Sequence, residues 1–112
     1  MALDMDQLTN TMITAGKNIA GTLWHDIQVY AVPELKKIAM QIVAIEESMM
    51  KPNPPYTTEG AKALLNMQIT ATMGVIVAMT HLTLQVIQKA IDTIMDAIKS
   101  VVNTALGFTL IA

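Results

Sequence analysis

Few residues of this sequence have the types and spacing that chemistry requires. The histidines His25 and His81 and the adjacent carboxylates Glu46 and Glu47 are the candidates for metal binding or proton transfer. A di-metal site in a helical bundle needs glutamates together with Glu-x-x-His pairs. Neither histidine has a glutamate three residues before it. We therefore predict no metal site, and we interpret His81 as a hydrogen-bonded histidine of a core or interface, with a pH switch as the alternative.

Other catalytic chemistry is not indicated either. The chain has no cysteine, which excludes thiolate catalysis, thiolate metal sites and disulfides. It has no glycine-rich phosphate loop and no pattern that pairs a nucleophile with a base. We predict that the protein is not an enzyme and binds no cofactor. Trp24 and Tyr56 are interpreted as interface anchors rather than as parts of a ligand site.

Composition narrows the possible partners. The chain has 112 residues, of which 53% are apolar and only 14% charged, and its net charge is −2. All seven basic residues are lysines and they form no cluster, whereas binding to a nucleic-acid backbone needs a concentrated positive surface. We therefore predict one domain that does not bind nucleic acid.

The dominant pattern is a heptad seam in the C-terminal half. Residues spaced alternately by four and three positions predict a long helix with one buried side. This predicted assembly seam consists of Met73, Val77, Thr80, Leu84, Ile87, Ile91, Ile94, Ile98, Val101 and Ala105. Between Ile69 and Met79 the helix is apolar on every side, so we expect neighbouring subunits or a membrane to cover it.

A polar row accompanies the second part of this seam. Its members are Lys89, Asp92, Asp96, Lys99 and Asn103. We interpret the row as a face that lies toward solvent or toward a lumen.

A second seam precedes the predicted loop. Its residues are Leu35, Ile38, Ile42, Ile45 and Met49. Pro33 is expected to begin this helix and to separate it from a weaker amphipathic helix before it. In that first helix, Gly16 and Gly21 are unfavourable, and Asp4, Asp6 or Thr9 is a possible N-cap.

These patterns predict an all-α protein. The expected fold is a long helical hairpin whose N-terminal arm is broken near Pro33 and which is completed by oligomeric packing. The predicted elements are a helix over 5–30, a helix over 33–50, a proline loop over 51–58, a helix over 59–106 and an apolar tail over 107–112. Thr58 is the predicted N-cap of the last helix and Gly107 its terminator.

The hairpin resembles the needle and inner-rod subunits of type III secretion systems. The matching residues are Lys51-Pro52-Asn53-Pro54 in the turn, then Ala63-Leu64-Leu65 and Gln68, then Val86, Lys89, Ile91, Asp92, Ile94 and Met95. The resemblance covers roughly residues 35–98. It implies a self-polymerising subunit of a hollow tube, exported without a cleaved signal, with the C-terminal helix facing a lumen that passes unfolded protein cargo.

We therefore expect a structural protein that assembles with itself into a filament or tube, located outside the cell or in its envelope. The alternative is a small oligomeric protein of the inner membrane, pilin-like or holin-like, because residues 63–88 contain no charged side chain and are long enough to cross a bilayer. A soluble adaptor or chaperone-type hairpin is a third possibility.

Overall fold

The computed structural model describes residues 2–112 and contains four α-helices. Helix α1 spans Met5–Lys17, α2 spans Leu23–Met49, α3 spans Thr58–Thr80 and α4 spans Leu84–Leu106. Over these residues the chain forms no β-strand, so the all-α prediction is confirmed.

The four helices form an up-down-up-down bundle. Helices α1 and α3 each pack against both α2 and α4. The molecule measures 45 × 22 × 20 Å, and the 27 residues of α2, at 1.5 Å each, span nearly its whole length. The bundle keeps the outline of the predicted helical hairpin, but each of its two arms is divided into two helices.

The first arm divides between α1 and α2, and not at Pro33. Gly21 has φ +83° in the connection at residues 18–22, a backbone conformation that suits glycine. Pro33 lies inside α2 and cannot donate to the carbonyl of Val29. Since Val29 and Pro33 are both exposed, water can hydrate that carbonyl and the helix continues.

The second arm divides at residues 81–83, where the sequence predicts an uninterrupted helix. His81 adopts the left-handed conformation with φ 61° and ends α3. Thr83 then caps α4 by accepting a hydrogen bond from the Val86 N–H at 3.3 Å. This turn sends α4 back along α3, which makes the bundle possible.

The remaining helix ends agree closely with prediction. Asp4 caps α1 by accepting a hydrogen bond from the Gln7 N–H at 2.9 Å. Thr57, one residue before the predicted cap, accepts from the Gly60 N–H at 3.0 Å at the start of α3. Gly107 ends α4 with φ 79°, as predicted.

Most of both seams lies in the core of this single chain. The fully buried members are Leu35, Ile38, Ile42, Ile45, Ile87, Ile91, Ile94 and Ile98. Met49, Met73 and Val77 are partly buried, whereas Leu84 and Val101 are each 54% exposed. The accessible surface of 6343 Å² is close to the value of about 6,000 Å² expected for a compact monomer of this mass. The eight buried side chains therefore need no neighbouring subunit to cover them.

Candidate functional site

Helix α3 has two apolar sides, and only one of them faces the core. Its fully buried side consists of Ala61, Leu65, Thr72 and Ile76. The opposite side is exposed apart from the half-buried Leu64, and it is apolar except for Thr70 near its middle. We call this side the α3 outer face; its residues are Ala63, Leu64, Met67, Ala71, Gly74, Val75 and Ala78.

These residues share one surface because of their spacing. At 3.6 residues per turn they fall within an arc of about 120° around the helix, which is the width of a stripe that normally faces a core. Met67 is the most exposed large side chain of the face at 69%, and Val75 is 39% exposed. Met79, 53% exposed, lies at the margin of the face.

The α3 outer face carries no charge. From Ala63 to Thr80 the sequence has no acidic or basic residue. The nearest charges are at the start of the helix, where Lys62 and Glu59 form an ion pair at 3.4 Å. Water is therefore in contact with a continuous apolar surface along most of α3.

Helix α3 is also long and apolar enough to cross a membrane. A core helix of a soluble protein often has the same composition, but then most of it is buried. Here only 17% of the most apolar 18-residue window is buried. Burial within the bundle therefore does not explain the composition of α3.

The predicted 63–88 membrane segment is not one continuous helix. The turn at residues 81–83 interrupts it. The uncharged helical part, Ala63 to Thr80, is 18 residues long and spans about 27 Å, slightly less than the roughly 30 Å of a hydrocarbon core.

The polar row lies on the surface of α4. Lys89, Asp92 and Asp96 are exposed and Lys99 is half-buried. Over residues 2–112 the ion pairs are Lys37–Glu34 at 2.8 Å and Lys62–Glu59 at 3.4 Å, so no member of the row forms one.

The residues considered for chemistry are dispersed. His25 and His81 are exposed, so the placement of His81 in a core is incorrect. Its position at the end of α3, in the turn between two helices, leaves its side chain outside the bundle. Within the described part of the chain, no three His, Cys, Asp or Glu side chains converge on a possible metal position.

Trp24 is also placed differently from the prediction. It is 7% exposed and belongs to the core, where its ring packs against Gly16. Tyr56 is half-buried in the proline loop. Trp24 is therefore not available as an interface anchor.

Two side chains hold the ends of the described chain, and the sequence patterns revealed neither role. The fully buried carboxylate of Glu46 accepts hydrogen bonds from the Ala2 N–H at 3.3 Å and the Leu3 N–H at 3.2 Å. Asn103 accepts from the N–H groups of Leu110 and Ile111 at 2.9 and 3.0 Å and donates to the Ile111 carbonyl at 2.9 Å. The backbone groups that these two side chains bind lie outside the helices, at residues 2–3 and 110–111. Helical periodicity therefore cannot predict these hydrogen bonds.

Neither a known protein family nor a curated protein nor a solved structure matches this chain. The functional argument therefore depends on the geometry of the bundle and above all on the α3 outer face.

Proposed function

We propose that this protein is a structural subunit that associates with copies of itself, and that the α3 outer face is the contact surface. The observation that supports the proposal is the exposure of a continuous, uncharged apolar stripe on a bundle whose core is already complete. Isolated apolar residues are normal on protein surfaces, but a contiguous apolar patch usually marks an interaction site.

The composition of the face favours protein contact over simple exposure. Alanine and glycine at Ala63, Ala71, Gly74 and Ala78 let another helix approach closely, and Met67 has the flexible thioether side chain that adapts to irregular contacts. Removing the Met67 side chain from water would stabilise an interface by about 1.5–3 kcal/mol. Apart from Met79 at the margin of the face and Met50 just after α2, the other strongly exposed large apolar residues lie on α2 and α4, as at Met40 and Val101.

A matched pair of substitutions tests the proposal. Met67→Gln places a polar amide in the α3 outer face, whereas Met40→Gln makes the same change at a 53% exposed position of α2. Both sites are on the surface, where substitutions usually change folding stability by no more than about 0.5 kcal/mol. Analytical ultracentrifugation in detergent-free buffer should show association of the wild type and of Met40→Gln, and weaker association of Met67→Gln.

A wild-type protein that stays monomeric at all concentrations would contradict self-association. Equal association of the two variants would show that the contact lies elsewhere on the molecule.

Extension into a filament or tube is the further part of this proposal. One self-complementary contact closes a dimer, so an open polymer needs a second contact. An open groove of 430 Å³ between the α1–α2 connection and α4, lined by Ile19, Leu23, Val86 and Ala90 among others, is the candidate for it. Export to the envelope and passage of cargo along the polar row follow only from the resemblance to needle subunits.

A membrane protein is the second candidate function, and the composition of α3 favours it. In that case the α3 outer face would contact lipid. Flotation of the purified protein with phospholipid vesicles distinguishes the two candidates, because a soluble homo-oligomer should stay at the bottom of the gradient and a membrane protein should float.

A further inference from the structure

We infer that two copies of this chain pair through antiparallel α3 helices, with Met67 of each copy seated over Gly74 of the other. This inference rests on the proposed self-association and specifies its geometry. It follows from the positions of Met67, which has a large side chain, and Gly74, which has none, on the same surface.

Met67 and Gly74 are seven residues apart, which is almost two helical turns. They therefore point in nearly the same direction, about 20° apart, with their Cα atoms about 10 Å apart along the helix. Met67 extends into solvent with 69% of its surface exposed. Gly74 has no side chain, and a Cβ placed on it would meet nothing within 4 Å. The face thus carries a protrusion and a depression side by side.

A two-fold axis through the midpoint of these residues makes the face complementary to itself. In a two-fold contact each residue pair occurs twice, so Met67 of either copy meets Gly74 of the other. The same axis, between Thr70 and Ala71, places Ala63 opposite Ala78 of the partner subunit. Except for Met67, all the residues that face one another directly are then small. Small residues at the contact permit a close distance of about 8 Å between the helix axes.

Charge also favours a second copy as the occupant. The face lacks charge from Ala63 onward, so a partner surface must be uncharged to avoid burying unpaired ions. The same face of another copy meets this requirement. In the antiparallel arrangement the Glu59–Lys62 pair of each copy lies beyond the end of the contact and stays hydrated.

The size of the face indicates a weak, reversible dimer. From Ala63 to Ala78 it is about 22 Å long and roughly 10 Å wide, or about 220 Å² on each copy, which is well below the roughly 800 Å² per partner of a stable complex. Association should therefore depend on protein concentration in a readily measurable range.

Gly74→Ala separates this contact from folding. In the monomer the added methyl group meets nothing within 4 Å. Because alanine is a better helix former than glycine in a helix interior, the melting temperature of dilute protein should rise. In the dimer the same methyl group fills the depression under Met67, so the dissociation constant should rise about tenfold. Asn66→Ala, at an exposed α3 position outside the face, is the control and should leave the dissociation constant unchanged.

Disulfide cross-linking tests the direction of the helices. The chain contains no cysteine, so introduced cysteines report unambiguously. Ala63→Cys alone and Ala78→Cys alone should not cross-link, because equivalent positions are about 22 Å apart in the antiparallel pair and a disulfide needs Cα atoms within about 7 Å. The double variant Ala63→Cys with Ala78→Cys should form covalent dimers under mild oxidation.

The outcomes separate this inference from the proposed function. Covalent dimers of the double variant only, together with weakened association of Gly74→Ala, support the antiparallel pair. Efficient cross-linking of Ala63→Cys alone shows a parallel pair and overturns the inference while self-association stands. A wild type that is monomeric in buffer, or that associates only with phospholipid vesicles, overturns both.

Discussion

Replacing Gly16 by alanine should destabilise the bundle, although alanine is the better helix former. An added Cβ would overlap Cε3 and Cζ3 of Trp24 and lie 3.0 Å from its Cη2, whereas ordinary contacts begin at 3.4 Å. The Trp24 ring is 7% exposed and has little room to retreat. Overpacking lowers folding stability by about 1–3 kcal/mol, whereas the higher helix propensity of alanine raises it by about 0.5–1 kcal/mol. The net loss of folding stability is therefore about 1 kcal/mol at the middle of these ranges and at most about 2.5 kcal/mol.

Gly74→Ala is the matched comparison, since it makes the same change in a helix where nothing opposes the methyl group. It should stabilise the monomer by about 0.5–1 kcal/mol. The free energies of unfolding come from urea titrations followed by circular dichroism, at a concentration where the protein is monomeric. Trp24, the single tryptophan, adds a fluorescence signal for the packing at Gly16. Equal stabilisation by the two substitutions would refute the contact between α1 and the indole ring.

Four further substitutions test other parts of the bundle. Asn103→Asp should release the C-terminal segment, because a carboxylate would face the Ile111 carbonyl where the amide now donates at 2.9 Å; hydrogen exchange of that segment measures it. Ile91→Asp should unfold the protein by placing a charge at a fully buried site, whereas Asp92→Asn on the exposed side should stay within about 0.5 kcal/mol of wild type, as judged by thermal melting. Glu46→Gln should cost about 1–2 kcal/mol of folding stability, measured by urea titration, because one of the two oxygens that accept backbone N–H groups is replaced by a donor.

Periodicity predicted the helices well but not where they turn. The buried seam residues, such as Ile38 and Ile91, follow directly from spacings of three and four, because the core side of a helix repeats with its turn. The same repeat continues through residues 81–83, where His81 adopts φ 61°. Glycine is the residue type that usually indicates a left-handed backbone conformation, and position 81 is a histidine. The sequence therefore predicts one long helix here.

Proline caused the opposite error. Pro33 is a strong local signal for a helix end, yet the structure accommodates it inside α2 because the carbonyl it leaves free is on an exposed side. Whether a lost hydrogen bond faces water or the core depends on tertiary packing, which the local sequence does not contain. The apolar stretch of α3 from Ile69 to Met79 was visible in the sequence, but which side of the helix is exposed became clear only in the bundle.

Oxidation of methionines in the assembled and dilute protein tests the central claim most directly. Met67 is 69% exposed in the monomer and Met40 is 53% exposed, so dilute protein should form sulfoxide at both sites when treated with hydrogen peroxide. As the protein concentration rises in detergent-free buffer, mass spectrometry of peptides should show protection of Met67 with no change at Met40. Unchanged oxidation of Met67 at every concentration would contradict the assignment of the α3 outer face as the contact between copies.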